Sequence, residues 1–92
     1  MIIRIMGEGQ YRVPDSLIDE LNRIDNRIVE HVSAGAEREF RQDLDRLIET
    51  IKQKGTALPA EEIVESQVIV PPSDMSLEEA KKVFNGPGLI ED

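Results

Sequence analysis

The chain opens with a two-residue period. In residues 1–13, MIIRIMGEGQYRV, apolar side chains alternate around Arg4 and Arg12, and the alternation breaks at Gly7, Glu8 and Gly9. Glycine at both ends of the break permits positive φ, so the stretch reads as two short strands joined in a hairpin. Two strands alone are marginal in water. The rest of the chain must therefore extend this hairpin and cover one of its faces. With 92 residues it can do so only with a single modest core.

The cover is written in the next forty residues. Pro14 holds Val13 in extended geometry and ends the strand, and Asp15 or Ser16 is placed to cap a helix. Leu17, Leu21, Ile24, Ile28 and Val32 then recur at helical spacing, widened by Ile18 and Val29. Gly35 is the expected C′ residue. A second helix is expected over residues 36–54, with a stripe of Phe40, Leu44, Leu47, Ile48 and Ile51. Gly55 stops it, after Lys52 and Lys54 at the negative end of the dipole. So short a link makes the two helices an antiparallel hairpin. Each stripe is too wide for the other helix alone, which leaves the remainder for the sheet.

Residues 56–59 read as a turn and 60–64 as a helical turn or an extended lead-in. Residues 66–71 are rich in β-branched side chains and end at Pro71 and Pro72, which cannot donate ladder hydrogen bonds; they form a third strand. Ser76 and Glu79 match a capping box opening a short helix to about Phe84 that buries Leu77, Ala80, Val83 and Phe84. Asn85, Gly86 and Pro87 stop it, and Leu89 and Ile90 are left without an obvious element. The fold class is thus α+β. A small sheet of about three strands, the N-terminal hairpin plus a strand near 67–70, packs on an antiparallel helical hairpin, with a short C-terminal helix. Residues 1–86 make the domain and 87–92 a C-terminal tail. Gly7, Gly9, Gly35, Gly55 and Ser76 are its turn and cap positions.

Composition narrows the function classes. There is no cysteine, which removes disulfide frameworks and thiolate metal sites. The net charge is −8, and residues 56–92 hold eight carboxylates against two lysines. Nucleic-acid phosphates demand a basic footprint, and anionic headgroups repel such a chain. The apolar run at the start is too short for a signal peptide or a span, so direct membrane insertion is not expected and a cytoplasmic location is. Acidity keeps a small domain soluble, or meets a basic partner.

No residue cluster declares chemistry. Gly7-Glu8-Gly9 is followed by a strand, not by the helix N-terminus that a phosphate loop needs. His31 is the only histidine and lies at the edge of a helical stripe, a weak metal or catalytic signal. Asp25 falls inside the apolar arc of the first helix and needs a route to solvent or a partner, such as Arg4, Arg12 or the backbone. Asp43 with Asp45, and Glu61, Glu62 and Glu65, read as solvated charge without a nucleophile or ligand spacing. Tyr11 lacks the aromatic neighbours and basic charge of a stacking platform. No catalytic residue, metal site or cofactor is therefore assigned. Leu89 and Ile90 dock on the domain, stay disordered or anchor another chain, for instance at a sheet edge.

Residues 1–13 resemble the opening of the PspAA family, the small domain associated with phage shock protein A. The resemblance continues through Leu21, Asn22, Arg23, Ile24 and Asp25, similar to a Leu-Asn-x-Leu-Asp pattern in which Ile24 replaces Leu at nearly equal volume. It resumes at residues 55–59 (GTALP), 68–72 (VIVPP), 76–79 (SLEE) and 88–90 (GLI). The resemblance implies a non-enzymatic accessory protein acting with phage shock protein A, a coiled-coil membrane-remodelling protein of envelope stress in bacteria and archaea. It carries over no catalytic positions. The expected contact is the exposed sheet edge and the acidic end, with Glu78, Glu79, Leu89, Ile90 and Glu91 as partner-binding residues; a Lys- and Arg-rich helical partner suits them. Pairing of the first hairpin or of Val68–Val70 with a second copy is a further expectation. The alternative function is a small ligand-sensing domain with a pocket between sheet and helical hairpin.

Overall fold

The computed structural model describes residues 1–62, 64–84 and 88–90. Four strands and three helices follow one another as β1 (Ile2–Ile5), β2 (Gly9–Arg12), α1 (Ile18–Ser33), α2 (Glu37–Lys54), β3 (Thr56–Ala57), β4 (Val68–Val70) and α3 (Leu77–Val83). The sheet order is β3-β2-β1-β4. β1 and β2 form the antiparallel hairpin, with Ile3 opposite Tyr11 and Ile5 opposite Gly9. β4 joins β1 in parallel, with Ile3 opposite Val68 and Ile5 opposite Val70. β3 adds antiparallel to the far side of β2.

The two-residue period decides which face is inside. Ile3, Ile5, Val68 and Val70 are buried on one face, with Tyr11 packed beside them. They meet Leu21, Ile24, Ile28 and Val32 of α1 and Phe40, Leu44, Leu47, Ile48 and Ile51 of α2 in one core. Both helical stripes are buried as the sequence predicts. Gly35, at φ 71°, ends α1 in the left-handed region, and the Ala36 N–H donates to the His31 carbonyl at 2.9 Å. The second helix starts at Glu37, one residue later than expected.

Three local readings are corrected. Neither Asp15 nor Ser16 caps a helix through its side chain, because a 3-10 turn over Asp15–Leu17 precedes α1. Asp15 instead lies in that first turn, where its charge suits the positive end of the dipole. Residues 56–57 are not a turn but the strand β3. Its exposed Thr56 and Ala57 carry no apolar signal, and position is what forms it. Gly55 runs extended and presses on the sheet: a Cβ there would stand 2.6 Å from the Ile51 carbonyl oxygen and 3.2 Å from that of Arg12. That close approach delivers the chain to the edge of β2. Val83 is 40% exposed rather than buried. α3 meets the core through Ala80 and through Phe84, whose ring lies edge-on to Phe40 at 6.2 Å. The capping box is formed: the Glu79 N–H donates to Ser76 Oγ at 3.1 Å.

The outer sheet face is crossed by the connection between the two edge strands. Gln10 Nε2, on that face, donates to the Val64 carbonyl at 2.8 Å and to Ser66 Oγ at 2.7 Å. Gln67 Oε1 accepts the Ile2 N–H at 2.6 Å. Arg4 and Ile69, toward the other edge, remain exposed.

Candidate partner-binding surface

Two of the three large apolar side chains that stand exposed in the described chain, Met6 at 51% and Ile69 at 54%, meet at the β4 edge. Their position follows from the strands. The Met6 N–H donates to the Val70 carbonyl at 2.9 Å, and Ile69 sits opposite Arg4 in the parallel ladder. β4 pairs with β1 on one side only and is a sheet edge. Its Val68-Ile69-Val70 carries none of the charges that usually guard such an edge. A shallow hollow lined by Arg4, Met6, Glu8 and Ile69 opens on the outer face.

Met6 also borders a larger open groove of about 800 Å³ between the hairpin turn, α2 and the loop after β4. Met6, Ile48 and Pro72 supply its apolar lining, and Glu8, Asp45, Glu49 and Asp74 its carboxylates. Lys52 lies in it too, with Nζ 2.5 Å from Glu8 Oε1. That bond, and the field of Glu8, raise the Lys52 ammonium above its ordinary value of 10.5. The groove thus carries four carboxylates against one lysine, with Asp45, Glu49 and Asp74 left to set its sign, and is continuous with the apolar edge.

The two residues that stood out in the sequence lie elsewhere. Asp25 is fully buried on α1, and its carboxylate accepts the backbone N–H of Leu89 at 3.1 Å and of Ile90 at 2.8 Å. Of the partners the sequence allowed, backbone amides are therefore among those it takes. His31 Nδ1 lies 2.5 Å from Asp43 Oδ2 and ties α1 to α2 near their connection. Asp43 is buried, not solvated as the sequence suggested. Its helical angle places it beside Phe40 and Leu47, at the margin of the stripe, which periodicity of apolar residues alone does not reveal. Neither His31 nor Asp43 lines the two hollows. Among the described residues no group of three or more His, Asp and Glu side chains is placed to hold a metal ion, and no helix is long and apolar enough to cross a membrane.

A family model described as PspA-Associated protein, PspAA, matches residues 1–92. The chain belongs to the PspAA family. Comparisons with curated proteins and with solved structures return no match. The family's description names an association with PspA and no reaction.

The PspAA chain distributes its five expected contact residues unevenly. Glu78 and Glu79 are exposed on the first turn of α3, where Glu79 closes the capping box. Leu89 is half-buried and Ile90 is in the core. Glu91 lies outside the described residues, as does the expected helix stop at residues 85–87. The groove was not legible from sequence. It joins residues near positions 6–8, 45–52 and 72–74 that only the parallel β1–β4 pairing brings together.

Proposed function

We propose that this PspAA chain is an adaptor that binds a phage-shock-protein-A-type protein through the β4 edge and the acidic groove beside it. The match to a PspA-associated family over residues 1–92 carries the reading. The surface supports it. A bare apolar edge flanked by Met6, Ile69 and the carboxylates Glu8, Asp45, Glu49 and Asp74 suits a segment that is both apolar and basic. Glu78 and Glu79 stand exposed on α3, outside the lining of the groove, and would be a separate acidic contact. On this reading the adaptor works at the cytoplasmic face and meets the membrane through its partner, catalysing nothing and needing no cofactor.

The ligand-sensing alternative requires a pocket between sheet and helical hairpin. There Ile3, Ile5, Leu21, Phe40, Leu44 and Ile51 are packed together with no accessible surface. That filling favours the adaptor.

The deciding experiment titrates the chain against the phage-shock-A-type protein of its own source organism at low and high salt. Binding is expected to weaken with salt, and by roughly tenfold or more on the double change Asp45→Lys with Glu49→Lys. Ile69→Lys is expected to weaken it at both salt concentrations. Reversal at Glu78, which leaves the capping box intact, tests the α3 contribution separately. Binding indifferent to the Asp45, Glu49 and Ile69 variants would remove this surface and keep the partner. No binding at high protein concentration would remove the adaptor reading.

A further inference from the structure

We propose that Asp25 and the core side chains around it form a binding site for a Gly–apolar–apolar segment, filled in cis by Gly88-Leu89-Ile90 and open to the same segment of a second copy. The proposal is independent of the adaptor reading. Each position of the segment meets a separate requirement. The N–H groups of Leu89 and Ile90 converge on the two oxygens of one carboxylate, at 3.1 and 2.8 Å. Successive amides converge on an anion when the backbone before them turns through the left-handed region, and Gly88 has φ 85°. Position 88 has no room for a side chain either: a Cβ would stand 2.7 Å from Asp25 Oδ2 and 2.9 Å from Oδ1. Ile90 then drops into the core beside α1, with Leu89 packed half-buried at its rim.

These are the terms by which a receptor reads a peptide: backbone donors on a fixed acceptor, a glycine imposed by close approach, and an apolar anchor. Gly88–Ile90 belongs to no helix or strand, so its release breaks no ladder. Segments held by few bonds open at lower free energy than the elements they cover. A second copy brings the same three residues and makes the same bonds, so exchange between copies costs association entropy and little else. The tether gives the cis segment an effective concentration of about millimolar, which sets the chain concentration at which exchange appears.

The test uses the full chain. In native-state amide exchange, Leu89 and Ile90 are expected to exchange at least roughly 100-fold faster than Ile3 and Ile5 of β1. Equal protection would make the segment an inseparable part of the core and overturn the proposal. The full-length Gly88→Ala variant, its own segment excluded, is then titrated with a peptide of the natural sequence 86–92. Saturable shifts around Asp25, lost in the double variant that adds Asp25→Asn, are expected; no shift at several times about a millimolar peptide overturns it. Should Gly88→Ala not fold, the exchange measurement on the natural chain decides. Last, at about millimolar chain the natural protein should show a monomer–dimer equilibrium that disappears in Gly88→Ala. A natural chain monomeric throughout would overturn exchange between copies.

Discussion

Asp25 and Asp43 are two buried carboxylates on the two helices of one hairpin, and they are satisfied in opposite ways. Asp25 is fully enclosed on α1 and takes backbone amides from 64 and 65 residues away. Asp43, on α2, keeps a tenth of its side chain accessible and takes His31, twelve residues away and 29% accessible. When Asp43 is lost, His31 can turn to water. When Asp25 is lost, the Ile90 N–H is left in the interior without its acceptor, and the part-buried Leu89 N–H loses its own, unless the segment opens to water. The cost of deleting a buried charge is therefore set by the partner it leaves behind more than by its own burial.

The largest effect tests that statement directly. Asp25→Ala is expected to cost about 3 kcal/mol, against about 1 kcal/mol for Asp43→Ala, read as urea midpoints at unchanged slope. Equal losses would show that the abandoned partner does not set the cost. Asp25→Asn keeps the shape and removes the charge. One amide oxygen can accept one of the two N–H groups, while the amide NH₂ faces the other donor to donor. Its loss should approach that of Asp25→Ala.

Gly88→Ala tests the same contact from the other side. The left-handed φ and the approach to both Asp25 oxygens should together cost about 2 kcal/mol. Gly7→Ala is the control: its φ of 85° is the same, but nothing lies within 4 Å of a Cβ there. It should lose about 1 kcal/mol, from strain alone. Similar losses at the two glycines would mean that the Asp25 contact yields without cost.

For Asp43 the comparison becomes a double-mutant cycle. His31→Ala and Asp43→Ala should be non-additive by about 0.5–1.5 kcal/mol, since each removes the other's partner. A coupling near zero would show that the helical hairpin is held at this end by packing of Phe40 and Val32 alone.

The same contrast explains what could be read in the sequence. Ile3 and Ile5, the α1 and α2 stripes, Gly35 and the Ser76–Glu79 box are local patterns, and each folds as its period or cap demands. Asp25 was visible as a polar residue in an apolar arc, and its need for a partner followed. The partner itself did not, because nothing near position 25 points to residues 88–90. β3 was hidden for a related reason: Thr56 and Ala57 are both exposed, and only the approach of Gly55 to Ile51 and Arg12 makes them a strand. The groove is hidden in the same way, assembled from three distant stretches by the β1–β4 ladder. Periodicity records which face a residue turns inward. It does not record which far segment arrives there.

The smallest expected effect belongs to a pair at the other extreme of exposure, Lys52 and Glu8. The bond to Glu8, and then the field of Glu8, raise the Lys52 ammonium above 10.5, with lesser help from Tyr11 and Glu49. A lysine whose folded value is raised adds stability that is fully present below its unfolded value. That contribution is lost as pH climbs through the raised one. Lys52→Met should therefore melt slightly below the natural chain at pH 7 to 9, and the gap should close above Lys52's raised value. High salt should close it as well, because an exposed pair is screened. A gap that survives both alkali and salt would belong to the lysine stem packed in the groove, not to its charge.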